Sequence, residues 1–225
     1  MILSQVSTDG PSVWPGACRL DGAPQPQIVL LFAHGAGAGM DHDFMQQITE
    51  QLAGEQILVV RFEFDYMARA RAEGRRRPPE RLPKLKECFD RWIEAAKIAH
   101  PNAWLGLIGK SMGGRIAALC GGQAECVFAL GYPFHPQGKS EPDKWRWQPL
   151  QQTTVPITVL QGQRDPFGTQ AELAQHTLPP RVSLHWLSDG DHSFVPRKRS
   201  GLSQTDLIEQ AGRLIRQQLL EGSIA

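Results

Sequence analysis

The sequence predicts an α/β protein with a mostly parallel sheet of six or seven strands and helices on both faces. Short apolar segments such as residues 27–33 have the length and composition of strands buried on both faces. Between them lie amphipathic segments such as residues 82–99, whose apolar side chains recur at helical spacing. Strands that alternate with helices indicate a parallel sheet, and 225 residues suit a single domain spanning residues 1–225.

Each apolar segment predicts a strand and each amphipathic segment a helix. Residues 1–26 are rich in glycine and proline and are interpreted as a short extension, or as edge strands near residues 2–6 and 17–20. Residues 67–81 are charged and are interpreted as a loop. Strands are predicted at residues 27–33, 56–64, 104–109, 126–131, 156–161 and 182–187, and helices at residues 41–53, 82–99 and 203–219, after Ser111 and from about Thr169.

Overall composition excludes several classes of protein. The formal net charge of +1 argues against a general nucleic-acid binder, which is usually strongly basic. Four cysteines without C-x-x-C spacing indicate buried thiols in a reducing compartment rather than disulfides or a zinc site. No apolar run approaches the length of a membrane span, and no signal segment precedes residue 27. A cytoplasmic protein without membrane association is therefore expected.

The clearest motif is the G-x-S-x-G segment at residues 109–113, between a predicted strand and a predicted helix. Such a nucleophile elbow holds its serine, here Ser111, in a strained turn that needs small residues on either side. The same segment contains Gly-Lys-Ser, but a phosphate-binding P-loop requires a glycine where Trp104 stands. The elbow is the interpretation that remains.

Two further residues at predicted strand ends complete a possible Ser-His-Asp triad. His192 follows the last strand, and an imidazole is suited to take a proton from a serine near neutral pH. Asp165 follows the preceding strand and is expected to orient His192, although aspartate is also common in turns. Asp189 and Asp191 are rivals for that role, and Asp191 is too close in sequence to reach the far ring nitrogen easily. The order Ser111, Asp165, His192 matches that of known triads on parallel sheets.

Backbone amides near Ser111 are predicted to stabilise an oxyanion. One is the amide of Met112, and the other is that of Ala36 or its neighbour Gly35, in the glycine-rich loop after the first main strand. A dinucleotide loop is the competing interpretation. It fails because residues 35–39 are followed by Met40, so that G-x-G-x-x-G is incomplete.

Three other segments bear on ligands. Asp41, His42 and Asp43 resemble metal ligands, but Asp41 is better interpreted as a helix N-cap, so no metal and no cofactor are expected. The arginines of residues 74–79 form either a solvated loop or a basic rim for an anionic substrate, and the sequence does not decide between these. Residues 132–150 are irregular and are interpreted as a rim or minimal lid, with Tyr132, Phe134 and Phe167 as candidates for the pocket wall.

Seven motifs together give the chain a resemblance to a known superfamily. They begin at His34, Arg61, Arg76, Gly109, Gly131, Gln161 and Asp191, reading HGAGA, RFEF, RRPP, GKSMGG, GYPFHP, QGQRDPFG and DHSF. The chain resembles the α/β-hydrolase superfamily and its small dienelactone-hydrolase-like members. More narrowly, it is similar to a group of hydrolase-like proteins that includes a testis-expressed mammalian protein and a subunit of the non-specific-lethal chromatin complex. The resemblance implies the fold and the triad positions, with a short N-terminus that lacks the first edge strands of larger hydrolases.

The function expected from these residues is that of a serine hydrolase. Its substrate would be a small or medium carboxylic ester or thioester, cleaved through an acyl-enzyme. Peptidase or lactonase chemistry with the same triad stays open. So does a binding or scaffold protein that keeps the fold without turnover. The oligomeric state is not predicted.

Overall fold

One twisted sheet forms the centre of the protein. The computed structural model describes residues 5–6 and 13–222, and within them the sheet has eight strands in the order β1-β2-β4-β3-β5-β6-β7-β8. The six strands from β4 to β8 in this order run parallel, whereas β1 and β2 are antiparallel additions at one edge. The strands are β1 (Gln5–Val6), β2 (Cys18–Gly22), β3 (Ile28–Ala33), β4 (Ile57–Phe62), β5 (Trp104–Lys110), β6 (Cys126–Leu130), β7 (Ile157–Gly162) and β8 (Val182–Leu187).

The antiparallel edge corrects the predicted count of six or seven strands and the expected loss of the first edge strands. All five residues of β2 pair with β4, and two residues of β1 extend that pairing. The interpretation of residues 17–20 as an edge strand is confirmed by β2. The rest of the predicted strand at residues 2–6 lies outside the described residues. The predicted α/β fold with a mostly parallel sheet is confirmed.

Seven helices lie in the described part of the chain, and two of them, at residues 65–73 and 148–151, were not expected. Residues 65–73, mostly assigned to a charged loop from sequence, form a helix with only Tyr66 buried, so it lacks the apolar stripe that identifies a helix. The helices are α1 (Asp43–Leu52), α2 (Asp65–Glu73), α3 (Leu82–Ala99), α4 (Met112–Cys120), α5 (Gln148–Gln151), α6 (Gln170–Leu173) and α7 (Gln204–Gly222).

The hydrophobic core lies in two layers, one on each face of the sheet. Strand β3 is buried throughout, and its alternate side chains enter different layers because successive residues of a strand point to opposite faces. Helices α3 and α4 pack in the layer with Val29 and Leu31. Helices α1 and α7 pack in the other layer, with Leu30 and Phe32.

The four cysteines are buried free thiols, as predicted, and burial raises the pKa of Cys18 to about 11.

None of the helices in residues 5–6 and 13–222 combines the length and hydropathy required to cross a membrane.

Residues 132–150 are largely irregular in structure. They contain one short 3₁₀ turn and the four-residue helix α5, and Trp145 and Trp147 stack within them at a centroid distance of 5.2 Å. A surface groove lies between these tryptophans and His176, so this segment packs toward the region after α6. The interpretation of this segment as a rim or minimal lid stays a prediction.

Candidate active site

Ser111 lies in a strained turn between β5 and α4. Its φ of 52° and ψ of −114° are rare for a residue with a Cβ atom, and its amide is held by a 2.9 Å hydrogen bond to Leu130 O. A Cβ atom at Gly109 would lie 2.2 Å from the carbonyl carbon of Gly113, and one at Gly113 would lie 2.5 Å from Ala33 O. Both glycines of the motif are therefore required for the helix to start this close to the sheet.

The structure brings the three predicted triad residues into contact. Ser111 Oγ lies 2.9 Å from His192 Nε2, and His192 Nδ1 lies 2.8 Å from Asp165 Oδ2. Asp165 is fully buried, and its other oxygen accepts a 2.9 Å hydrogen bond from the amide of Phe167. Since an ionised carboxylate only accepts, Nδ1 carries the proton in this arrangement, which leaves Nε2 to accept from the serine hydroxyl.

The loop that carries His192 fits closely against the end of β7. A Cβ atom at Gly162 would lie 2.3 Å from Asp191 O, so this glycine lets the loop approach Asp165. The carboxylate of Asp191 accepts hydrogen bonds of 2.8 and 2.9 Å from the amides of Ser193 and Val195. Asp191 therefore closes its own loop.

Asp189, the other rival to Asp165, has a different set of partners. Its carboxylate accepts a 2.8 Å hydrogen bond from the amide of Arg197 and pairs with that residue's guanidinium. These contacts lower the pKa of Asp189 to about 2. Neither rival contacts His192 through its carboxylate.

The glycine-rich loop after β3 is held from behind by two buried side chains. His34 Nε2 accepts a 3.1 Å hydrogen bond from the amide of Phe64, which leaves Nδ1–H to donate to Gly35 O at 2.6 Å. The Tyr66 hydroxyl lies 3.0 Å from Ala36 O and 3.3 Å from Gly35 O. Burial lowers the pKa of His34, which keeps the ring neutral and preserves this pattern.

These contacts fix the direction of the loop amides. In a trans peptide the N–H points away from the carbonyl of the same unit, and the described residues contain no cis peptide. Because Gly35 O and Ala36 O face His34 and Tyr66, the amides of Ala36 and Gly37 point to the opposite side of the loop. Gly35 itself lies against the elbow, since a Cβ atom there would be 3.7 Å from Ser111 Cβ.

A pocket of about 310 Å³ opens beside Ser111. Phe167, one of the predicted wall residues, lines it, and its ring lies 4.4 Å from that of His192. Tyr132 and Phe134 were predicted at the wall but are fully buried in the core, where the Tyr132 hydroxyl donates to Arg146 O at 2.8 Å. Gly131, which has a left-handed φ of 61°, lies between the end of β6 and these two aromatic residues. The other residues along the pocket are residues 35–38, His42, Phe44, Met45, Lys110, Ser111, His192 and Ser193.

Lys110 is a pocket residue that the sequence analysis missed. Its ammonium donates a 2.6 Å hydrogen bond to His192 O and lies 5.4 Å from the centroid of the Phe44 ring. Burial lowers its pKa from 10.5 to about 8, an effect opposed by the charges of Asp165 and Asp191. The residue occupies the variable position of G-x-S-x-G, so the motif gives no signal for it.

The suggested metal ligands have other partners. Asp41 forms ion pairs of 2.8 Å with Arg19 and 2.7 Å with Arg71. His42, rather than Asp41, caps α1, with Nδ1 accepting a 3.2 Å hydrogen bond from the amide of Phe44. Within the part of the chain that the structure describes, no cluster of three or more His, Cys, Asp or Glu side chains is arranged to hold a metal ion.

A serine in a strained strand–helix turn, at the carboxyl edge of a parallel sheet, is typical of the α/β-hydrolase fold. The chain belongs to the alpha/beta hydrolase domain family, whose model matches residues 26–219. No curated protein sequence matches the chain significantly.

Solved structures of the same fold cover nearly all of the chain. A serine hydrolase without lid from Xanthomonas campestris is 17% identical with a TM-score of 0.64, over 96% of this chain and 94% of that one. A dienelactone hydrolase from Anabaena variabilis is 18% identical with a TM-score of 0.64, over 93% and 96%. The protein Est1E from Butyrivibrio proteoclasticus is 14% identical with a TM-score of 0.69, over 99% and 98%. The predicted superfamily is thus confirmed, while the narrower similarity to the chromatin-complex subunit stays a prediction.

Proposed function

We propose that the protein is a serine hydrolase that cleaves a small or medium carboxylic ester or thioester. The observation that carries this proposal is the pair of contacts from Ser111 Oγ to His192 Nε2 (2.9 Å) and from His192 Nδ1 to Asp165 Oδ2 (2.8 Å), at the wall of a pocket. A serine hydroxyl is a weak nucleophile until a base takes its proton, and His192 is placed to do so.

The proposed reaction has two halves. As Ser111 Oγ bonds to the acyl carbon, its proton moves to His192 Nε2, and the carbonyl oxygen becomes an oxyanion. The carbon–oxygen or carbon–sulfur bond of the leaving group then breaks, and the leaving group takes the proton from His192. Water repeats the sequence on the acyl-enzyme, giving the carboxylic acid and restoring Ser111. Asp165 stabilises the protonated ring of His192 in both halves.

Two amides are assigned to the oxyanion. Met112 begins α4 directly after Ser111, and its N–H makes no hydrogen bond within the described residues. The second donor is Ala36, whose N–H points away from Tyr66 while the residue lines the pocket. Gly35, the other candidate from sequence, is less suited because its amide precedes the peptide unit that His34 and Tyr66 orient.

Replacing Ser111 by alanine tests the proposal. We expect Ser111→Ala to lower kcat on p-nitrophenyl acetate, p-nitrophenyl butyrate and a matched thioester by about 10⁴–10⁶. Ser188→Ala is the control, because Ser188 is exposed and makes no side-chain hydrogen bond within residues 13–222. Turnover that survives in Ser111→Ala contradicts the assigned nucleophile. If the folded wild-type protein cleaves none of these substrates, a binding or scaffold function becomes the better conclusion.

A further inference from the structure

A second and larger cavity adjoins the pocket beside Ser111. It has a volume of about 670 Å³ and lies between the glycine-rich loop, α2 and residues 74–77. Residues 36–38 and His42 line both cavities. A substrate whose acyl carbonyl lies at Ser111 can therefore extend over the glycine-rich loop into the second cavity, which we call the arginine groove.

Positive charge dominates this groove. Four arginines line it, and three of them form ion pairs with nearby carboxylates. Arg71 contacts Glu63 and Asp41, each at 2.7 Å, while Arg75 and Arg77 both contact Glu73, each at 2.7 Å. Arg76 lines the groove and has no ion pair or hydrogen bond from its side chain within the described part of the chain.

The excess of positive charge is confined to the arginine groove and its surroundings and is not a property of the whole surface. Asp41 is shared with Arg19, so five guanidinium groups meet three carboxylates here, whereas the whole chain has a net charge of only +1. Salt bridges hold Arg71, Arg75 and Arg77 in place, whereas Arg76 is the one arginine lining the groove that has no carboxylate partner within the described part of the chain. A guanidinium binds carboxylate or phosphate oxygens through two parallel hydrogen bonds.

We propose that the arginine groove binds an anionic group of the substrate, with Arg76 as the residue that determines this specificity. The substrate class is an ester or thioester that carries a carboxylate or a phosphate remote from the scissile carbonyl. The inference rests on the proposed function, since it places the carbonyl of the same molecule at Ser111.

Matched substrates separate charge from length. The acyl series consists of mono-p-nitrophenyl esters of glutaric, adipic, suberic and sebacic acids, each compared with its neutral methyl-capped analogue. A third series carries a terminal phosphate on the same chains, which distinguishes carboxylate from phosphate recognition. We expect the wild-type protein to favour one anionic series over the neutral one by about three- to tenfold in kcat/KM at the chain length that spans the loop.

Arg76→Gln is expected to remove that preference through KM, because binding remote from the reacting bond is shared by ground state and transition state. Raising the salt concentration from about 20 mM to about 0.5 M is expected to narrow the preference in the wild-type protein. Arg181→Gln is the matched control. Arg181 is an exposed arginine at the amino end of β8, at the sheet edge opposite Ser111. We expect the Arg181→Gln variant to keep the wild-type preference for anionic over neutral substrates.

Two failures are distinguishable. If Ser111-dependent hydrolysis occurs but no anionic chain is favoured, or if Arg76→Gln keeps the preference, the arginine groove is only a solvated surface and the inference is overturned alone. If the folded wild-type protein hydrolyses neither series, the proposed function fails and the inference fails with it.

Discussion

Lys110 shows how a residue beside Ser111 supports His192, the proposed general base. Its ammonium group joins the end of β5 to the carbonyl of His192, so the loop bearing the imidazole is tied to the strand bearing Ser111. The cost of this arrangement is a charge removed from water, which lowers the pKa of the lysine to about 8. We infer that Lys110 positions His192.

The pKa of Lys110 gives a test based on stability. The folded value of about 8 lies below the ordinary 10.5, so between these values the unfolded chain binds more protons and stability rises with pH. We expect the difference in free energy of unfolding, wild type minus Lys110→Met, to grow by on the order of 1–2 kcal/mol from about pH 7.5 to 9.5. Urea denaturation at both pH values measures it.

Lys139→Met is the control for that experiment, because Lys139 is exposed and has no ion pair within the described residues. For each variant the quantity compared is the free energy of unfolding of the wild type minus that of the variant. If this quantity changes equally with pH for Lys110→Met and Lys139→Met, or falls at high pH for Lys110→Met, residue 110 does not carry a desolvated ammonium.

At the scale of the element, the loop after β3 depends on a helix that the sequence did not reveal. Glycine and alanine in residues 35–39 predicted a loop near the nucleophile, and the structure places it there. Tyr66, which holds its carbonyls, was not identified because α2 buries a single side chain and carries four charges on nine residues. A helix of that composition has no periodic apolar pattern from which to predict it.

Replacing Tyr66 by phenylalanine tests the role of this contact. The hydroxyl donates to Ala36 O at 3.0 Å and lies 3.3 Å from Gly35 O, so we expect Tyr66→Phe to loosen the loop around the Ala36 amide and to lower kcat about tenfold with little change in KM. Steady-state kinetics on p-nitrophenyl butyrate measures it. Tyr132→Phe is a close control, since that hydroxyl is also buried against a backbone carbonyl but lies away from the pocket.

Each variant is expected to lose about 1–3 kcal/mol of stability by leaving a carbonyl unpaired, so stability alone does not separate them. An equal loss of kcat in both would mean that Tyr66 acts only through general stability.

For the whole molecule, the sequence predicted which strand ends and which of their side chains would meet, but not how the loops there are held in place. Continuous apolar strands identified a parallel sheet, and the carboxyl ends of parallel strands share an edge. That topology brings Ser111 and His192 to the same edge although they are 81 residues apart, and the loop after β8 closes the remaining distance across β6 and β7. The sequence already favoured Asp165 over Asp191, and in the structure the carboxylate of Asp191 accepts hydrogen bonds from amides of its own loop instead.

The pocket wall was the weakest of the predictions, for a physical reason. The three candidates, Tyr132, Phe134 and Phe167, all follow strands at the same edge of the sheet. An aromatic side chain at such a position gives the same sequence signal whether it packs into the core or lines a pocket. In the structure the first two are buried in the core, and Phe167 is the one of the three that lines the pocket. Substrate is likewise not determined by the fold, which many unrelated activities share.

The most direct test of the central claim is covalent labelling by a fluorophosphonate, followed by intact-mass measurement and peptide mapping. This reagent reacts with a serine that a neighbouring base has activated. We expect one label at Ser111 in the wild-type protein, none in Ser111→Ala, and much slower labelling in His192→Gln and Asp165→Asn. Absence of labelling in folded wild-type protein, or a labelling rate that does not depend on His192, would contradict the proposal that Ser111 is an activated nucleophile.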